Sequence, residues 1–96
     1  MTRDRLGRPT TDPTAAFPEV PERLDLTAED AWREAMTYLA DGLPFHAHEV
    51  FEQRWRCCPS DERRLWQALA QWAAALTHRA RGNDVGARSI AATVRT

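Results

Sequence analysis

The sequence predicts an all-α fold: a four-helix bundle of two antiparallel helical hairpins, preceded by an extended Pro-rich N-terminal arm. Three observations predict it. Apolar residues recur at the helical period from Ala31 to Val94. Glycine, proline and capping residues interrupt that pattern where helices should start and stop. Gly42-x4-Ala47 is echoed forty positions later by Gly82-x4-Ala87, as if one helical unit were written twice.

Residues 1–26 hold Pro9, Pro13, Pro18 and Pro21 and few apolar side chains. A segment of that kind buries too little surface to offset its ordering entropy, so it reads as an arm. Leu6, Phe17, Val20 and Leu24 are its only means of lying along a domain. The helical domain spans residues 27–96. Thr27 fits an N-cap, with Glu29 and Asp30 in the first turn and Asp30 at the capping-box position. Ala31, Trp32, Ala35, Met36, Tyr38 and Leu39 follow at helical spacing, and Gly42 ends this first helix. Pro44 suits the first turn of the second, where a missing N–H is harmless. Ala47, Val50, Phe51, Arg54 and Cys58 then share one side; Phe45, His48, Glu49 and Glu52 share roughly the opposite one. His46 points away from both sets and is expected to be exposed.

Pro59 stops the second helix, and Ser60 can cap a third that runs to about Arg81. Leu65, Leu69, Trp72 and Leu76 form its main stripe, widened by Trp66, Ala70, Ala73 and Ala80. A helix this apolar is expected at the centre. Gly82-Asn83 should end it, with Asp84 capping a fourth helix through Val94. The apolar side of that fourth helix has no later partner. The expectation is either a chain cut from a longer protein or a face covered by self-association.

The 96 residues bound one domain, and no segment approaches the roughly 18–20 apolar residues of a membrane span. No secretory signal is visible behind Met1, so the expected location is the cytoplasm. Cys57 and Cys58 are adjacent, which suits neither a mutual disulfide nor the usual zinc spacing; reduced, partly buried thiols are expected. The net charge of −1 hides an asymmetry. Residues 19–52 carry nine acids against two arginines (−7), and residues 53–96 carry eight arginines against three acids (+5). Pairing of these halves within one fold is the favoured expectation. Arg54, Arg56, Arg63 and Arg64 cluster near Pro59, but the chain as a whole is not basic and has no nucleic-acid motif, so nucleic acid is not the expected partner. The four tryptophans are expected to serve the core.

Ala35-x2-Tyr38 and Ala47-x3-Phe51, followed by Pro59, resemble the two helices of a tetratricopeptide hairpin. The second unit matches less well. A more extensive resemblance covers residues 28–96. Phe45-x2-His48-Glu49-x2-Glu52-x2-Trp55, then Leu69-x-Gln71, then His78-x3-Gly82-Asn83-x2-Gly86-Ala87 resemble the domain of unknown function 309 family of bacteria and archaea. Gly7-Arg8-Pro9 and the run from Gly42 to Glu49 resemble its actinobacterial members. The resemblance implies a small all-helical bundle with no established activity. It also implies that members continue past Thr96.

The candidate binding residues are His48, Glu49, Glu52, Gln71 and His78. His48 and Glu52 lie four apart, so both can reach one ion. His-Glu-x-x-Glu resembles the His-Glu-x-x-His zinc helix with its second imidazole replaced by a carboxylate. His78 would have to supply a third ligand, and Glu49 would be the candidate catalytic base on a metal-bound water. The bland alternatives are a polar network fixing helix register, or a solvated helix face. The leading expectation is a non-catalytic protein-interaction or scaffold module, taking a protein partner or a second copy of itself. A protein binding a divalent metal such as zinc, or a metal-dependent hydrolase, is the alternative.

Overall fold

The computed structural model describes residues 2–94, with side chains through residue 82. In chain order the elements are a two-strand hairpin of β1 (Thr2–Arg3) and β2 (Pro9–Thr10), helix α1 (Ala28–Ala40), helix α2 (Pro44–Cys57), a 3-10 turn (Ser60–Glu62) and helix α3 (Arg63–Val94). The all-helical class holds. The number of helices does not: three are present among the described residues where four were expected, because α3 is one continuous helix of 32 residues. Gly82 and Asn83 stay helical rather than forming a stop. Glycine inside a helix costs only about 1 kcal/mol relative to alanine, which the length of the helix absorbs.

Local signals set the first two helices. The Thr27 side chain accepts the N–H of Asp30 at 3.1 Å and caps α1. At its other end Gly42 takes φ +73°. Gly42 N–H then donates to the Leu39 carbonyl (3.1 Å) and Leu43 N–H to the Tyr38 carbonyl (2.8 Å). These are the two bonds of a Schellman stop, and they turn the chain directly into α2. Pro44 is the first residue of α2, and Pro59 follows its end. Ser60 lies within the 3-10 turn and α3 starts at Arg63, three residues after the expected cap.

Helix α2 is the central element, with α1 and α3 packed on it. The core joins Leu26, Ala31 and Ala35 to Ala47, Val50 and Phe51, and to Trp66, Ala70 and Ala73. Phe51 is fully buried with its ring centroid 6.1 Å from that of Trp66. One such ring contributes about 1.5–3 kcal/mol by burial. The alanines on all three helices let the backbones approach, and Phe51 and Trp66 fill the space left.

Of the wide apolar side expected for α3, only part is buried. Trp66, Ala70, Ala73 and Thr77 face inward, whereas Leu65 is 54% and Trp72 45% exposed. The small residues meet α2 because they permit the closest approach; Leu69 packs against the edge of the core, and Leu65 and Trp72 stay largely outside it. Trp32 is also half exposed, so the tryptophans do not all serve the core.

The arm is docked rather than simply extended. Thr2 pairs antiparallel with Thr10 and Arg3 with Pro9, and Phe17 bridges to Arg3. Asp4 closes the intervening loop, its Oδ1 accepting the backbone N–H groups of Leu6 (3.0 Å) and Arg8 (2.9 Å). Leu6 is 2% exposed, and its carbonyl oxygen accepts both Nε and Nη2 of Arg81. Further along, the Arg23 guanidinium bonds Glu34, and the Gln53 amide donates to the Pro21 carbonyl. Leu24, by contrast, is 94% exposed and anchors nothing.

Candidate functional site

The second helix delivers three polar side chains to one place. His48, Glu49 and Glu52 each offer one ligand atom, and these atoms lie within 4.8 Å of one another. His48 Nε2 is 3.2 Å from Glu52 Oε2, and Nδ1 is 3.6 Å from Glu49 Oε1. An imidazole facing carboxylates at both nitrogens can donate to both only when it carries both protons. Arg56 Nη2 donates to the other Glu52 oxygen at 2.9 Å. Phe45, one turn earlier, tilts against His48 with centroids 5.9 Å apart. The hydrogen bond with His48 holds the Glu49 carboxyl below its ordinary value, the charges of His48, Arg56 and Arg3 adding to it and partial burial opposing.

The other expected members lie nearby without joining. His48, Glu52 and Gln71 line one groove between α2 and α3, together with Trp55 and Gln67. His48 and His78 line the adjoining hollow, with Phe45, Thr77 and Arg81. His78 is not among the three residues that converge, so the ligand expected from His78 is replaced in the cluster by Glu49. The helical period identified the face shared by His48, Glu49 and Glu52. The distance from α3, set by the whole packing, leaves His78 outside.

Sequence reasoning misplaced His46 and overlooked Gln53. His46 is 5% exposed, not solvated. Its Nε2 lies 3.1 Å from the Pro18 carbonyl oxygen, and the rings of Phe17, Tyr38 and Phe45 surround it. The docked arm is what buries it. Gln53 is buried for the same reason, bonded to Pro21 and Arg23. The run of polar residues on α2 gave no sign that the arm would cover that side.

The basic cluster also divides. Arg54 is a structural cation: Nη1 donates to the Leu26 carbonyl (3.0 Å), Nη2 to Glu62 (3.0 Å), and the guanidinium lies over Trp66. Trp66 Nε1 donates to the same Glu62 oxygen at 2.9 Å, and that bond with the one from Arg54 lowers the carboxyl's pKa. The two charged halves meet at Glu52–Arg56, but Arg23–Glu34 and Arg54–Glu62 each pair within one half. Cys57 and Cys58 are half-buried free thiols whose sulfurs approach the carbonyls of Leu26 and Trp55.

Among the described residues, no helix is long and apolar enough to cross a membrane. No curated protein and no solved structure matches the chain. A family model does match, over residues 29–90, covering α1, α2 and the greater part of α3. That stretch includes the converging trio, Gln71 and His78, and the chain thus belongs to the family described as Domain of unknown function (DUF309).

Proposed function

We propose that this chain is a helical protein-interaction module that presents the outward side of α3 to a second copy of itself. One observation carries this reading: Leu65 and Trp72 stand about half exposed two turns apart on one helix face. Leu65, Leu69, Trp72 and Leu76 repeat at four, three and four residues, the spacing with which a helix packs against another helix. Large apolar side chains grouped on a surface mark interaction sites more often than scattered ones do. The α1–α2 hairpin supports the same role. Its buried Ala35 and Ala47, with Tyr38 and Phe51 between the helices, have the tetratricopeptide pattern of a scaffold unit. Free thiols at Cys57 and Cys58 suit a reducing compartment such as the cytoplasm.

Light scattering over a concentration series tests it. The mass should rise with concentration in the native chain and stay at the monomer value in a Leu65→Glu, Trp72→Glu double variant. A native chain that is monomeric throughout overturns self-association through this face.

The convergence of His48, Glu49 and Glu52 favours a second reading, a site for a divalent ion such as zinc. One imidazole and two carboxylates form a borderline-to-hard donor set, and three protein ligands leave a position open for water or substrate. In this reading Glu49 is a ligand rather than a base. Metal analysis of untagged protein should find stoichiometric ion that a His48→Ala variant loses. Metal-free protein whose stability does not respond to added zinc rejects it.

A further inference from the structure

Between the arm and α2 lies a cleft of about 160 Å³, lined by Glu49 and sharing no lining residue with the α2–α3 groove. It holds far more room than one water needs. Its walls combine three kinds of chemistry. Phe17, Val20 and Phe45 are apolar, and Arg3 and Arg56 bring guanidinium groups from the arm and from the end of α2. His46 supplies a buried imidazole.

His46 constrains what the cleft accepts. Its Nε2 faces the Pro18 carbonyl oxygen and must donate there, which in the neutral ring leaves Nδ1 as an acceptor. Nδ1 is buried and has no partner among the described residues. A buried acceptor without a donor is costly, and an occupant of the cleft that His46 lines can supply the missing N–H or O–H. The arginines ask for an anion. Arg3 gives Nη1 to the Gly7 carbonyl (2.7 Å) and lies over the Phe45 ring, and Arg56 gives Nη2 to Glu52. Each guanidinium retains further N–H groups. Glu19, Glu22 and Glu49 also line the cleft, so a bare anion would be repelled as well as attracted. An occupant carrying both signs meets all of these demands.

We propose that this cleft binds a small apolar α-amino acid as its zwitterion. The carboxylate pairs with Arg3 and Arg56. The ammonium group donates to His46 Nδ1 and faces the acidic side chains. The aliphatic side chain packs against Phe17 and Phe45. Arg3, Phe17, Glu19, Val20 and Glu22 all precede the family segment of residues 29–90. The arm therefore builds half of the site. This proposal is independent of the α3 interface and shares Glu49 with the metal reading.

The test is calorimetric titration of the full chain with L-valine, 3-methylbutanoate (no ammonium) and 2-methylpropylamine (no carboxylate). Valine should bind, each analogue at least tenfold more weakly. Arg3→Ala and Arg56→Ala, both at exposed positions, should weaken valine at least tenfold with unchanged far-ultraviolet circular dichroism. The ¹⁵N resonance of His46 Nδ1 should shift as valine is added. Absence of both heat and a His46 shift at tens of millimolar valine overturns the proposal, leaving water as the occupant. Equal affinity for 3-methylbutanoate also overturns it, because the ammonium would then contribute nothing.

Discussion

Arg81 donates through Nε (2.9 Å) and Nη2 (2.7 Å) to the carbonyl oxygen of Leu6, 75 positions earlier in the chain. That bidentate bond ties the arm to α3, while Pro18 and Pro21 tie it to α2 through His46 and Gln53. The arm is thus held to both helices that flank the candidate site, although the family segment begins only at residue 29.

The loop around Leu6 depends on Gly7. Gly7 takes φ +77°, and a Cβ built there would overlap the Phe45 ring. Gly42 has a similar φ of +73° but open space around it. Gly42→Ala should cost about 1 kcal/mol from the backbone conformation alone. Gly7→Ala should cost distinctly more, about 2–3 kcal/mol, because the ring must also move. Urea unfolding of the two variants checks the difference.

Arg54 should be irreplaceable by lysine. Its fork joins the Leu26 carbonyl to Glu62 while its plane covers Trp66. An ammonium cannot reproduce that planar, two-ended contact. Arg54→Lys and Arg54→Ala should both destabilise, by about 1–3 kcal/mol each, because lysine cannot serve the carbonyl and Glu62 together and alanine serves neither. Full rescue by lysine in thermal unfolding would contradict the assignment.

Two tryptophans six positions apart should behave differently. Trp66 is 3% exposed and Trp72 45%. Trp66→Ala should cost about 3–5 kcal/mol, as for an aromatic removed from a packed core. Trp72→Ala should stay within about 1 kcal/mol under conditions where the chain is monomeric. Denaturant titration at low protein concentration measures both.

The acid limb of stability should carry the mark of specific carboxylates. Glu49 is held below its ordinary 4.5 by the bond with His48, and Glu62 below 4.5 by the bonds from Trp66 and Arg54. Burial raises Asp4, but the hydrogen bonds from Arg8 and Leu6 outweigh it and leave it below 3.8. A carboxyl depressed on folding contributes stability that is complete above its unfolded value and disappears as pH falls through the folded one. Native stability should therefore decline below about pH 4.5, and Glu62→Gln should flatten that decline. The stability difference between native and variant, followed from pH 6 to pH 2, tests the sign.

Much of the candidate site was legible because its members share one helix. His48, Glu49 and Glu52 fall on one side of α2 by period alone, and they converge. His78 is on a different helix, and no periodicity reports a distance between helices. The error over α3 has the same source. Period established that Leu65, Leu69, Trp72 and Leu76 share a face, and equally that Trp66, Ala70 and Ala73 do. It carried no information on which face α2 would cover.

Sequence by itself determined the helical class, the cap at Thr27, the turn at Gly42 and the start of α2 at Pro44. Each of these rests on hydrogen bonds and backbone angles within a few residues, so neighbours in the chain suffice to specify it. Tertiary structure alone decided that His46 and Gln53 are buried, that the arm docks through Leu6, and that α3 turns Trp66, Ala70 and Ala73 inward. Those outcomes depend on which distant surface comes to cover a residue, a competition among packings that local spacing does not encode.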